Sequence, residues 1–154
     1  MNRFHEITII AYRNIEEKCY GIKKLDGYQH LYSVSTLCIQ LAKKRNLNIE
    51  LSAIIGVLHD YSTYYTGSSF DHANRSAMLA NELLEKSELL NIEEITLVTT
   101  AIKNHSNKDV IDDEYSELIK DADIWYRYLY EPTMTFDMHK QKRIDTLLYE
   151  FNMI

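Results

Sequence analysis

The sequence predicts an all-α protein, and three observations support this fold class. Apolar residues recur at spacings of three and four along most of the chain, as they do on one face of an amphipathic helix. No segment alternates convincingly between apolar and polar residues, as a half-buried strand would. One proline and four glycines among 154 residues leave little material for tight turns. We therefore expect a single-domain bundle of about six to seven helices, because this length suits one well-buried core.

The first three helices are predicted at residues 4–20, 27–45 and 49–61. The first has its apolar positions at Phe4, Ile7, Ile10 and Ile15, and the second has a stripe of Leu31, Val34, Cys38 and Leu41. Asn48 is the predicted N-cap of the third helix, because its side chain can accept a hydrogen bond from the first turn.

Four more helices are predicted at residues 72–87, 92–105, 114–130 and 138–152. Before the first of these, "YYTGSSF" (64–70) is predicted to be a loop, with Asp71 or Ser69 as the helix N-cap. Asn91 and Glu94 have the spacing of a capping box, and Pro132 is predicted to close the helix at 114–130.

The composition excludes several classes of protein. A net charge of −6 gives no general attraction to nucleic acid or anionic membranes. Cys19 and Cys38 are too few for a disulfide framework, and no apolar run approaches the ~20 residues of a membrane span. The N-terminus lacks the apolar stretch of a signal peptide, so we expect a cytoplasmic protein whose single domain covers residues 1–154.

Four of the six histidines lie on apolar helix faces or at the end of an apolar run, and two aspartates accompany them. A lone inward-facing histidine is usually satisfied by a hydrogen bond in the core. Burying several histidines together with carboxylates would destabilise the fold unless these groups share a binding partner. A single divalent metal can serve as that partner for all of them. The candidate ligands are His30, His59, Asp60, His72, His105 and Asp123.

These residues lie in an order that resembles the HD-domain superfamily of metal-dependent phosphohydrolases. The resemblance covers about residues 26–130 and includes "SAIIGVLHDYS" (52–62), "AIKNHSNK" (101–108) and "LIKDADIWYRYLY" (118–130). The order His, His-Asp, His, His, Asp is similar to that of the binuclear branch. The resemblance implies an HD-type fold and one or two divalent transition ions, which can be Fe, Mn, Co, Ni or Zn.

By this resemblance, His30, His59, Asp60 and Asp123 match the ligands of a first ion, and His72 and His105 match those of a second. Asp60 is then the candidate bridge. In this alignment Asp121 looks like a residue that caps or supports the site, and it is also a candidate catalytic residue that could orient a ligand or take a proton.

The chain departs from the family where many members follow His-Asp with a glycine-lysine stretch that contacts phosphate. Here the continuation is "YSTYY", which offers no cation. Phosphate contact would have to come from elsewhere, for instance from Arg75, Lys103 or Lys108, each of which can also be an ordinary surface charge.

The resemblance implies hydrolysis of a phosphate ester, such as a nucleotide or dinucleotide, by hydroxide formed from coordinated water. The partner would be a small molecule, and a homo-oligomer is possible. Two alternatives stay open: a di-iron oxygenase of the same fold, and a non-catalytic nucleotide-binding helical protein. Tyrosines near the ligands, such as Tyr64 and Tyr126, could stack on a nucleobase or simply pack.

Overall fold

A computed structural model describes residues 2–131 and 133–154, and this part of the chain forms helices without any strand. The all-α prediction is therefore confirmed. Seven of the helices have ten or more residues, and one has six. They are α1 (Asn2–Lys18), α2 (Gly21–Arg45), α3 (Ile49–Leu58), α4 (Tyr61–Thr66), α5 (His72–Ser87), α6 (Ile92–Asn104), α7 (Glu114–Tyr130) and α8 (Met138–Glu150).

Two boundaries differ from those predicted by more than two residues. Helix α2 begins at Gly21 rather than at residue 27, and Gly21 has a φ of +64° that a side chain would strain. This glycine lets α2 follow α1 after only two intervening residues. Helix α3 ends at Leu58, and part of the segment predicted as a loop forms the separate helix α4. The break lies at Asp60, whose φ of −111° and ψ of 19° are not helical.

Most of the predicted caps are present. The Asn48 side chain accepts a hydrogen bond from the Leu51 amide, and Asn91 forms the capping box with Glu94. Asp71 occupies the N-cap position of α5, but its side chain makes no cap hydrogen bond and accepts one from the Asn74 side chain instead. The predicted closure by Pro132 lies outside the described residues.

Close packing between α2 and α3 brings His30 of α2 near the end of α3. A Cβ added to Gly56 would lie 2.5 Å from the Ser35 Cα, so the two backbones nearly touch at this point. Every residue of α3 from Leu51 to Leu58 is buried. Helix α7 also packs against α2, and His30 of α2 therefore lies close both to the end of α3 and to α7. Within the described chain, no helix is both long and apolar enough to span a membrane.

Candidate metal centre

Asp60 lies at the centre of a buried cluster of histidines that come from several helices. Its Oδ2 lies 3.2 Å from the His30 Nε2 and 3.6 Å from the His59 Nε2. Its Oδ1 lies 3.3 Å from the His105 Nε2 and 3.5 Å from the His72 Nε2. Each oxygen of one carboxylate therefore faces a separate pair of imidazole nitrogens.

The cluster consists of two groups that share Asp60. In each of them, the ligand atoms lie within 4.8 Å of one another. The first contains His30, His59 and Asp60, and the second contains Asp60, His72 and His105. Nitrogen and oxygen donors grouped in this way suit divalent transition metals.

The break between α3 and α4 allows His59 and Asp60 to converge. Adjacent residues on a continuous helix point about 100° apart. Here His59 is the C-cap of α3 and Asp60 is the N-cap of α4, so the helix does not continue through the pair. The His-Asp pair can therefore direct both side chains toward one point.

Backbone carbonyls fix the orientation of two of the imidazoles. The Nδ1 of His59 lies 2.8 Å from the Gly56 carbonyl oxygen, and that of His105 lies 2.6 Å from the Ile102 carbonyl oxygen. A carbonyl only accepts hydrogen bonds, so each Nδ1 carries the hydrogen and donates it. The Nε2 of each neutral ring then presents a lone pair to the cluster, as in histidines that bind metals.

Burial and neighbouring charges favour the protonation states that a metal needs. Burial lowers the pKa of His59 to about 3, so this imidazole is neutral at neutral pH. Burial alone would raise the pKa of Asp60, but when the neighbouring imidazoles are protonated, the charge of His59 and the hydrogen bonds from His105 and His30 hold it well below its usual range. A neutral imidazole and an ionised carboxylate are the ligand forms that coordinate a cation.

One atom of the cluster fits a bound cation especially well. The Asp60 Oδ1 is buried and makes no hydrogen bond within residues 2–131 and 133–154. It faces the His105 Nε2, which carries a lone pair when the neutral ring donates through its Nδ1. A buried carboxylate oxygen opposite a lone pair is unfavourable unless a cation lies between them. The residues present therefore fit a divalent metal.

Asp123 of α7 borders the first group and binds two cationic side chains. Its Oδ1 lies 3.9 Å from the His30 Nε2 and 4.0 Å from the His59 Nε2. The Lys108 amine donates to its Oδ2 at 2.7 Å, and Arg127 Nε donates to its Oδ1 at 3.4 Å. Burial alone would raise the pKa of Asp123, but Lys108 and Arg127 hold it well below its usual range.

Two cavities open onto the cluster, and Arg127 lines both. The larger, of about 530 Å³, contains His30, Asp60 and His72 together with polar and aromatic side chains. The smaller, of about 190 Å³, contains His72, His105 and Asp123 with Lys108 and Lys140. A small molecule can therefore reach the cluster from solvent.

The HD domain family model matches residues 27–127, which include all six candidate ligands. The chain belongs to the HD domain family. Its fold is similar to that of a crystal structure of a predicted HD superfamily hydrolase from an uncultured Thermotogales bacterium. The two chains are 18% identical, with a TM-score of 0.62 over 93% of this chain and 87% of the other. A comparison with curated proteins gives no match.

The match to the HD domain agrees with the HD-type fold expected from the sequence, and the structure brings the six candidate ligands together. Lys108 also lies at the centre, although its amine contacts Asp123 and the His105 carbonyl oxygen. Burial lowers the pKa of this amine, and Asp123 opposes the shift.

Three other predicted site residues lie away from this HD centre. Arg75 and Lys103 line neither of the two cavities. Arg75 contacts the Phe70 carbonyl oxygen, and Lys103 lies in a groove between α5 and α6. The Asp121 carboxylate is held by Arg45 at 2.8 Å and Arg143 at 2.9 Å. The contacts with the two arginines indicate a structural role for Asp121. Asp121 lies two residues from Asp123, which places it about 200° away around α7.

Arg127 is a cation of this metal centre that was not predicted from the sequence. It follows Asp123 by four residues on α7, a spacing that brings two helical side chains onto the same face. That spacing is the signal that could have identified it. Asp26, Tyr130 and Glu131 were also missed as residues lining the larger cavity.

Proposed function

We propose that the protein is a metal-dependent phosphohydrolase that acts on a small phosphate ester, such as a nucleotide. The single observation that carries this proposal is the placement of Asp60, each of whose oxygens faces a separate histidine pair. One or two ions of Fe, Mn, Co, Ni or Zn would bind there. Their ligands would be His30, His59, Asp60 and Asp123 for the first ion, and His72, His105 and the shared Asp60 for the second.

A bound ion of this kind supplies Lewis acidity, which lowers the pKa of water from about 15.7 towards 7 and offsets charge on phosphoryl oxygens. The reaction forms a bond between a water oxygen and phosphorus and breaks the ester P–O bond. The leaving alcohol gains one proton from the water, and the products are the alcohol and phosphate.

The residues around the ligands have separate roles in this proposal. Arg127 borders both cavities and is half exposed, so its guanidinium can donate to a phosphoryl oxygen while it stays near Asp123. The Lys108 amine, which donates to Asp123, keeps that carboxylate ionised and oriented. Asp60 holds the two histidine pairs around one shared carboxylate.

The test combines metal analysis with a phosphatase screen on protein purified without chelator. We expect about one to two metal equivalents in the wild-type protein and hydrolysis of p-nitrophenyl phosphate or a nucleotide. Asp60→Ala should lose most of the metal, and its kcat/KM should fall by more than about 100-fold, because even residues that only support a ligand are worth 10–100-fold. Asp145→Asn, on the exposed face of α8, is the matched control.

Two results would contradict the proposal. Full metal occupancy in Asp60→Ala would refute the ligand assignment. Substrate-dependent oxygen consumption by the metal-loaded protein, without release of phosphate from any ester, would instead support the oxygenase.

A further inference from the structure

We infer that the substrate carries a single phosphate group and that its alcohol part is a nucleoside-like group, with a flat ring and several hydrogen-bond donors. Asp26 and Glu131 would select against further phosphates, and Tyr126 and Tyr130 would bind the ring. This inference rests on the proposed function and specifies its substrate class.

The charges that line the larger cavity favour a substrate with one phosphate. Outside the metal ligands, its charged residues are Asp26, Glu131 and Arg127. Arg127 already lies beside Asp123, which leaves little positive charge in this larger cavity for a second phosphate. In the described part of the chain, no ion pair engages Asp26 or Glu131. Both carboxylates would therefore repel a phosphate chain that extended toward the mouth of this cavity.

The same carboxylates suit a partner that donates hydrogen bonds. An ionised carboxylate only accepts, so it matches the hydroxyl groups of a sugar or an amino group of a base. The Gln29 and Thr63 side chains also line this cavity and add further polar groups. A polyol or nucleoside satisfies such a surface, whereas a phosphate does not.

Tyrosines supply a flat apolar surface next to the metal ligands. The Tyr126 and Tyr130 rings stack with their centroids 5.2 Å apart and their planes 14° apart. Tyr126 also lies 4.7 Å from the His30 ring, so this surface begins beside the cluster. Tyr64 belongs to the same cavity and rests on Gly27, where an added Cβ would lie 2.6 Å from the tyrosine ring. A planar ring can therefore stack on this tyrosine surface, which begins beside the cluster.

The two cavities together determine how such a substrate would lie. The smaller cavity, of about 190 Å³, has three cations and is narrow for a nucleoside. Lys108 and Arg127 already pair with Asp123, and Lys140 pairs with Asp137, so these cations offer little charge for a second phosphate. The larger, of about 530 Å³, is within the range of small-molecule sites. The phosphate would thus lie near Arg127, which lines both cavities, and the alcohol part would extend toward Asp26 and Glu131.

The experiment compares adenosine monophosphate with adenosine diphosphate and triphosphate on the metal-loaded wild-type protein. We expect a kcat/KM for the monophosphate at least about ten times that for the diphosphate. In the double variant Asp26→Asn, Glu131→Gln, this ratio should fall at least about fivefold. Glu88→Gln, at the end of α5 and outside both cavities, should keep the wild-type ratio.

A second variant tests the aromatic surface. Tyr130→Ala should raise the KM for adenosine monophosphate at least fivefold relative to the KM for glycerol phosphate, which has no ring to stack. Tyr130 is exposed, so its replacement should not prevent folding.

The outcomes distinguish failure of this inference from failure of the proposed function. If p-nitrophenyl phosphate and every other ester resist the metal-loaded protein, the proposed function fails. If p-nitrophenyl phosphate is hydrolysed but the diphosphate is cleaved as well as the monophosphate, only the selection by Asp26 and Glu131 is refuted. Equal KM changes for both esters in Tyr130→Ala would refute the stacking.

Discussion

Asp121→Asn separates a structural role of this residue from the catalytic role predicted by the sequence. The Asp121 side chain is 11% exposed, and it pairs with Arg45 from α2 and Arg143 from α8. The two arginines also bind Glu150 and Glu117, respectively. Asp121 therefore joins three helices behind the cluster, and an amide of the same size removes its charge without leaving a cavity.

The expected loss of stability follows from these contacts. A hydrogen bond to a charged group contributes about 1.5–3 kcal/mol, and Asp121 accepts one from each arginine. The asparagine oxygen can still accept one of them, and both arginines keep their glutamates. We therefore expect the free energy of unfolding to fall by about 2 kcal/mol, which corresponds to a Tm lower by about 4–8 °C for a chain of this length.

The assay is urea and thermal unfolding of the variant, together with its metal content and its kcat/KM. We expect metal content and kcat/KM to stay near those of the wild-type protein. Asp145→Asn, an exposed substitution, should change the free energy of unfolding by less than about 0.5 kcal/mol. An unchanged Tm with a loss of hydrolysis as large as that of Asp60→Ala would refute this reasoning and restore Asp121 as a catalytic residue.

Two further predictions concern the helix contact and the pH dependence of stability. Gly56→Ala places a Cβ 2.5 Å from the Ser35 backbone, so α2 and α3 must separate. Calorimetry should show that the free energy of unfolding falls by about 1–3 kcal/mol and that metal binds more weakly. In the control variant Gly27→Ala, the added Cβ meets only the movable Tyr64 ring, so the free energy of unfolding should fall by less. In the metal-free protein, His59 has a pKa near 3 when folded and about 6.5 when unfolded, so the unfolded chain binds the extra proton. Its contribution of up to about 5 kcal/mol is present above pH 6.5 and is lost as the pH falls toward 3. Urea midpoints from pH 7 to 4 should decline less steeply in His59→Gln than in the wild-type protein or in His5→Gln; equal slopes would disprove this cause.

The parts of the fold and site that depend on local periodicity could be predicted from the sequence. The stripe on α2 contains His30, and the apolar run of α3 ends at His59, so both were expected to face the interior. The short helix α4 was missed because six residues are too few to show a helical period. The early start of α2 was missed because Gly21 and Gly27 weaken the helical pattern.

Cations at the site were harder to predict, because their partners come from other helices. Arg75, Lys103 and Arg127 look alike in the sequence, since long charged side chains occur on most exposed helix faces. Only the packing of α7 against α2 brings Arg127 next to the cluster, while Arg75 and Lys103 face elsewhere. Likewise, Asp121 and Asp123 differ only by about 200° of helical rotation. Their roles follow from whether the arginines or the histidines face each of them.

The buried helix α3 and the His-Asp pair at its end depend on each other. A carboxylate needs a helix end to converge with the preceding imidazole, and a helix end in the core leaves polar groups without water. The Gly56 carbonyl oxygen accepts from the His59 Nδ1, which satisfies part of this end. The Asp60 Oδ1 makes no hydrogen bond in the described chain, and a shared cation would satisfy it. A shared cation would therefore satisfy the polar end of an apolar helix that ends on His-Asp inside the protein, which links this local sequence to the proposed chemistry.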